Sequence, residues 1–410
     1  MRCRKAPRKS PYAALLLLVA ALATSGCLQS GEEISIQPLP AASGRVDPGL
    51  GPGTRHLTSG PGYKGSPSWS PGGDRIAFTV DRYVVDKAPA SDDLRRWTTR
   101  DFAAEDAEWV SGDGLTMLGA VPGSTPTGAD EERSVYRGRP AEDSEASFDL
   151  KKVATGVLAM SPESAERGGL IFAIEGGPYE SRLVRTRGSG EVDRVYEDAV
   201  GGRVTAISPS PDGRKLVLAV RPPGDRETSE LGVFDLRTGE YQRKTRLEGD
   251  LELLGTPQWT SHGLYFVAGR DEPSEGTAAP YDLYRVPTGP GVPEPAPGVG
   301  KDFVAASISV SPNGERLAVI GRLNPKSPSN VYVLDLLAEN FKAVTTNEDM
   351  EIKTGPDDLA WSPGGTSVAI VARGTPSTKP EIRPAPAQDL LEDFYNLYEI
   401  PVEGTAGPPR

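Results

Sequence analysis

Short apolar runs recur along this chain, each too brief for a helix: "IAFTV" (76–80), "LVLAV" (216–220), "LYFVAG" (264–269), "LAVIG" (317–321) and "VAIVA" (368–372). Runs of five or six aliphatic residues bounded by turn residues predict buried strands. Four of them follow one polar phrase: "WSPGGDR" at 69, "PSPDGRK" at 209, "VSPNGER" at 310 and "WSPGGTS" at 361. Proline presets φ for a type I turn, Asp, Asn or Gly tolerates the next position, and Gly takes the left-handed place that closes the hairpin. Weaker copies stand at 107–121, 158–174 and 257–269.

Aligned on the residue before the turn, the seven copies fall at Trp69, Trp109, Met160, Pro209, Trp259, Val310 and Trp361, spaced by 40, 51, 49, 50, 51 and 51 residues. A third run follows in most copies, such as "LGVFDLRTGE" (231–240) and "VYVLDL" (331–336), then a more polar fourth such as "YQRKTRLE" (241–248). Four strands per repeat, seven times, predicts an all-β, seven-bladed β-propeller with four-stranded blades. The last repeat ends at "LYEIP" (397–401) without a fourth strand, while "TRHLT" (54–58) belongs to no repeat. The N-terminal strand is therefore expected to complete the last blade and leave no open edge.

The Trp-Ser-Pro-Asx/Gly-Gly turn followed by an aliphatic strand resembles the TolB-type WD40-like (PD40) repeat, over residues 54–410. That resemblance implies the fold. TolB itself carries an α/β domain before its propeller, and the stretch between Cys27 and residue 54 is too short for one, so its part in outer-membrane translocation is not expected here.

The N-terminus changes the picture of location. "MRCRKAPRKSPY" is basic, "AALLLLVAALA" (13–23) is apolar but shorter than the roughly 20 residues a spanning helix needs, and "TSGC" ends at Cys27. Small residues before that Cys resemble the lipobox of bacterial lipoproteins, although Thr24 stands where the family prefers Leu. The expected organisation is a signal peptide at 1–26, lipidation of Cys27, a Pro/Gly/Ser-rich tether at 27–53 and the propeller at 54–410. Cleavage after "ALA" (21–23), giving a secreted soluble protein, and an uncleaved anchor are the competing outcomes. Lys and Arg number 45 against 57 Asp and Glu, and five of the basic residues lie in the first 26, which hold no acid. So acidic a body gains nothing from counterion release, which argues against nucleic acid as a partner. The two cysteines, Cys3 and Cys27, leave the body without a disulfide, thiolate metal site or thiol nucleophile.

Candidate chemistry is sparse. No Gly-x-Ser-x-Gly elbow occurs. The two histidines, His56 in the closing strand and His262 in a tight turn, sit on different elements, which disfavours a triad or a histidine metal centre. Trp69, Trp109, Trp259 and Trp361 share one repeat position and read as packing. No EF-hand-like spacing marks a Ca²⁺ site. Connections between second and third strands read as long, among them "DRYVVDKAPASDD", "EGGPYES" and "TPSTKPEIRPAPAQDLLEDFYN", and all emerge on one face. Tyr83, Tyr179, Tyr281 and Phe394 are the exposed aromatics expected there. The expectation is a monomeric ring, lipid-anchored on the extracytoplasmic face, without cofactor or metal, acting as a non-catalytic protein-binding platform. A glycan- or peptide-binding sensor subunit and a carboxylate-dependent hydrolase or lyase are the alternatives.

Overall fold

The computed structural model describes residues 50–59, 62–81, 83–91, 93–98, 102–110, 114–120, 133–140, 148–161, 171–177, 180–187, 191–224, 228–247, 251–270, 281–287, 291–348, 350–355, 357–374 and 394–402. They form seven antiparallel sheets, which are the seven blades of a β-propeller. In blades one to six the four strands pair in chain order, beginning with the inner strands Lys64–Trp69, Ala103–Val110, Val157–Met160, Arg203–Pro209, Leu251–Thr260 and Val304–Val310. Among the described residues no helix is long and apolar enough to cross a membrane.

The apolar runs are continuous because both faces of each blade are buried. Along Arg316–Arg322, Leu317 and Val319 join the core between blades five and six, while Ala318 and Ile320 join the core between six and seven. Alternate side chains of one strand thus feed neighbouring seams. Among the described residues the core divides into seven clusters, one per seam.

Each turn phrase has an internal logic. Gly73, Gly213, Gly314 and Gly365 take φ of 72°, 61°, 72° and 63°. Their amides donate to the carbonyls of Ser70, Ser210, Ser311 and Ser362, each at 2.8 Å. Those serine hydroxyls accept the amide five residues on, at 2.9–3.1 Å, which locks the hairpin from its side-chain position.

Blade seven closes the ring as its missing strand required. Arg55–His56 pairs antiparallel with Asn396–Pro401, Arg55 opposite Glu399 and His56 opposite Tyr398. Arg55 Nε donates to Glu399 Oε2 at 2.9 Å, and the His56 ring stacks on Tyr398 at 4.6 Å. Fully buried Leu57 enters the core between blades seven and one, and fully buried Leu50 enters the core between six and seven.

Two connections differ from the expectation. "DRYVVDKAPASDD" is not a loop, because Tyr83–Lys87 is the third strand of blade one and only residues 81–82 separate it from Ile76–Val80. Asp81, at φ 55°, lies in that connection, and β-branched Val84 and Val85 are fully buried in two different seams. In blade three only residues 178–179 separate Ile171–Gly177 from Glu180–Thr186.

Leu57→Ala should lower unfolding stability by about 2–5 kcal/mol in urea denaturation, the range for emptying a buried leucine site. The same change at exposed Leu337 should fall within about 0.5 kcal/mol of wild type. Equal midpoints for the two variants would show that the closing strand is dispensable.

Candidate functional site

The inner strands surround a central channel with a cavity of about 340 Å³. Six of them carry an irregularity at the same place, a register shift just before the last few residues, as between Gly65 and Ser68 or Ala104 and Asp106. In blade seven this bulge is enlarged. The inner strand splits into Met350–Ile352 and Leu359–Trp361, with the Lys353 amide still bonded to the Val371 carbonyl at 2.8 Å and the excursion following it.

Buried Asp358 holds that excursion. Its carboxylate pairs with Lys353 Nζ at 3.0 Å and accepts the Gly355 amide at 3.0 Å and, from blade one, the Ser66 amide at 3.4 Å. A Cβ on Gly355 would lie 2.3 Å from Asp358 Oδ2, so only glycine leaves room for the carboxylate. Lys353 also donates to the Lys64 carbonyl at 3.3 Å, which ties the excursion to the first strand of the ring.

The channel walls are unlike. Met160, Ile207 and Ile308 line one part, whereas Ser66, Ser68, Asp106, Glu108 and Asp357 of blades one, two and seven line another. Asp106 and Glu108 are two apart on one strand and so point the same way. The Ser68 hydroxyl donates to Glu108 Oε2 at 2.8 Å and accepts the Trp109 amide at 3.3 Å. Asp106 Oδ1 accepts the Ala107 amide at 2.8 Å.

Half-buried in the channel wall, both groups have their proton affinity raised. Burial pushes Glu108 up to about 7, against the Ser68 hydrogen bond and with the charge of Asp357 added. Burial, then the charges of Glu108 and Asp357, lifts Asp106 well above the usual carboxylate range. Asp357, which keeps contact with solvent, is pushed the same way by the surrounding wall and then by the charge of Asp358. Among the described residues no group of three His, Cys, Asp or Glu side chains is placed to hold a metal ion.

A second concavity, of about 730 Å³, lies between the blade-six hairpin Arg322–Ser329 and the blade-seven segment Met350–Gly355, with buried Tyr395 in its lining. The Tyr395 hydroxyl donates to Glu351, which also accepts Arg373 Nε and Nη2 at 2.8 and 2.6 Å. The Arg373 guanidinium lies 4.7 Å over the Tyr395 ring.

The tryptophans sit at the ends of their inner strands. Trp69, Trp109 and Trp361 are buried and Trp259 is half-buried, and all four pack in the cores between blades. Trp361 Nε1 donates to the Ser309 carbonyl of blade six at 2.8 Å. Tyr83 and Tyr281 begin third strands and are half-buried, the former under the Arg96 guanidinium at 4.1 Å, and Phe394 is 36% exposed. Cys27, Tyr179 and the segment 375–393 lie outside the described residues. His56 lies in the closing strand and His262 in the exposed turn of blade five. The channel acids carry no sequence motif, although "AEDAEW" (104–109) places Asp106 and Glu108 at alternate positions ahead of a blade tryptophan.

A closed seven-bladed propeller with a partly acidic channel is the class these features define. No protein-family model matches the chain, and no curated protein matches it. Solved propellers do resemble it. A chain of a mitotic checkpoint complex is 14% identical with a TM-score of 0.50, over 88% of this chain and 96% of its own. A prolyl endopeptidase structure is 13% identical with a TM-score of 0.51, over 76% of this chain but only 46% of its own. A putative TolB from Agrobacterium tumefaciens is 13% identical with a TM-score of 0.42, over 84% and 92%. At such identities the likeness shows the fold alone.

A carboxyl group whose proton affinity is raised on folding makes the folded state bind more protons than the unfolded state, so stability falls as pH rises. For Glu108 the loss begins near its ordinary value of 4.5 and levels off above about 7. It amounts to at most about 3 kcal/mol. Glu108→Gln should therefore raise the melting temperature at pH 8 and leave it unchanged at pH 4, and parallel pH profiles for the two proteins would refute the assignment.

Proposed function

We propose that this chain is an exported, non-catalytic binding platform, lipid-anchored through Cys27, that takes a protein partner on the face carrying the blade-six and blade-seven connections. The observation that carries it is the cleft of about 730 Å³ beside the ring closure, walled by the Arg322–Ser329 hairpin and based on the ordered Tyr395–Glu351–Arg373 network. Clefts with a few fixed polar groups are where propellers can recognise other molecules without a reaction. Affinity capture from detergent-solubilised membranes should return a stoichiometric protein. Capture of glycan with no protein would overturn the platform and favour a sensor subunit. Cys27→Ser should abolish incorporation of labelled fatty acid, and unchanged labelling would remove the anchor.

A carboxylate-dependent hydrolase or lyase is the second reading, favoured by the Glu108 carboxyl that holds its proton near neutral pH inside the channel. Turnover of an oligosaccharide panel that is lost on Glu108→Gln would establish it, and turnover indifferent to that change would end it.

A further inference from the structure

We infer that the cleft between blades six and seven is a docking site for an acidic peptide segment of a protein partner. The inference rests on the platform reading and names what the partner must present.

The cleft is lined by three cations and two carboxylates, and one of each is already paired. Lys353 pairs with Asp358, and Glu351 pairs with Arg373. Arg322 and Lys326 have no carboxylate partner among the described residues, and of the acids in the lining only exposed Glu348 is likewise unpaired. The cleft thus carries a positive surplus in a chain whose formal net charge is −12. An acidic ligand repelled by the rest of the surface would be drawn there.

Arg322 is prepared for the role. It is half-buried, and its Nε donates to the buried Ser329 hydroxyl at 3.2 Å, which fixes the guanidinium plane and leaves the terminal nitrogens for an incoming carboxylate. Lys326 is exposed on the same hairpin, where Asn324 caps the turn through the amides of Lys326 and Ser327 at 3.0 and 3.1 Å. Neighbouring apolar side chains are exposed as well: Leu323 at 61%, and Tyr63 at 62% with its ring 5.4 Å from that of Tyr395. Charged anchors beside exposed aromatic and aliphatic surface suit a peptide that alternates acidic and apolar residues.

Fluorescence anisotropy of the full chain with a labelled ten-residue peptide of alternating Glu and Leu tests the site. Binding is expected at low salt, weakened at least about ten-fold by the Arg322→Glu/Lys326→Glu pair, with the melting temperature unchanged. Arg322→Lys should retain part of the affinity, and a Lys/Leu peptide should not bind. If charge reversal unfolds the ring, the Arg322→Gln/Lys326→Gln pair is measured in its place, with the same direction expected. Equal affinity in wild type and variants, no binding at low salt, or preference for the Lys/Leu peptide would each overturn the inference. Membrane capture separates the two levels. A stoichiometric partner retained by the charge-reversed variant refutes the cleft and leaves the platform standing, whereas no partner for the wild type refutes the platform.

Discussion

The fold depends on one antiparallel pairing between opposite ends of the chain. Arg55 and His56 lie against Glu399 and Tyr398, and only that pairing gives the last blade its outer strand. A propeller is a ring of sheets that bury both faces against neighbours, so a missing strand would expose a sheet edge and weaken the two seams beside it. Leu50 and Leu57 show the same economy, since one short segment contributes to the cores on both sides of blade seven.

Closure also composes the channel. Blades seven, one and two come from the two ends of the sequence, and only the ring sets Asp357 beside the wall that carries Asp106 and Glu108. Confinement then does to these carboxyls what an apolar pocket does elsewhere: it favours the neutral form, and mutual repulsion adds to the effect. Blades three to six contribute Met160, Ile207, Ile308 and the uncharged polar Thr256, Gln258 and Ser309, so the carboxylates of the channel lining, Asp106, Glu108 and Asp357, come from blades two and seven.

The blades were legible because their signals are local. Proline, an Asx or Gly residue and a left-handed glycine specify a hairpin within five positions, and the spacing of Trp69, Trp109, Met160, Pro209, Trp259, Val310 and Trp361 matches the ends of the seven inner strands. The serine before each proline was visible, but its acceptance of the amide five residues on needed the turn to be seen closed. Loop lengths were less legible. "YVVDK" reads as part of a polar connection until Val84 and Val85 are placed in separate seams. The channel site was least legible, because a bulge enlarged into Lys353–Asp358 has no composition that distinguishes it from an ordinary loop, and its meaning comes from contact with Ser66 and Lys64 across the ring.

The pairing of Arg55 with Glu399 spans 344 residues of sequence. Six seams can form as neighbouring blades appear, each joining segments close in the chain, but the seventh must wait until the final strand exists. Bringing ends so distant together carries a loop entropy of about 5 kcal/mol. The first of the described strands to be made is therefore among the last to be paired, and it waits unpaired while the other blades are made. Its sequence suits that wait. "TRHLT" is short, polar at every position but Leu57 and carries a positive charge on Arg55, so it offers little to the strand-edge association that threatens unfinished β-proteins.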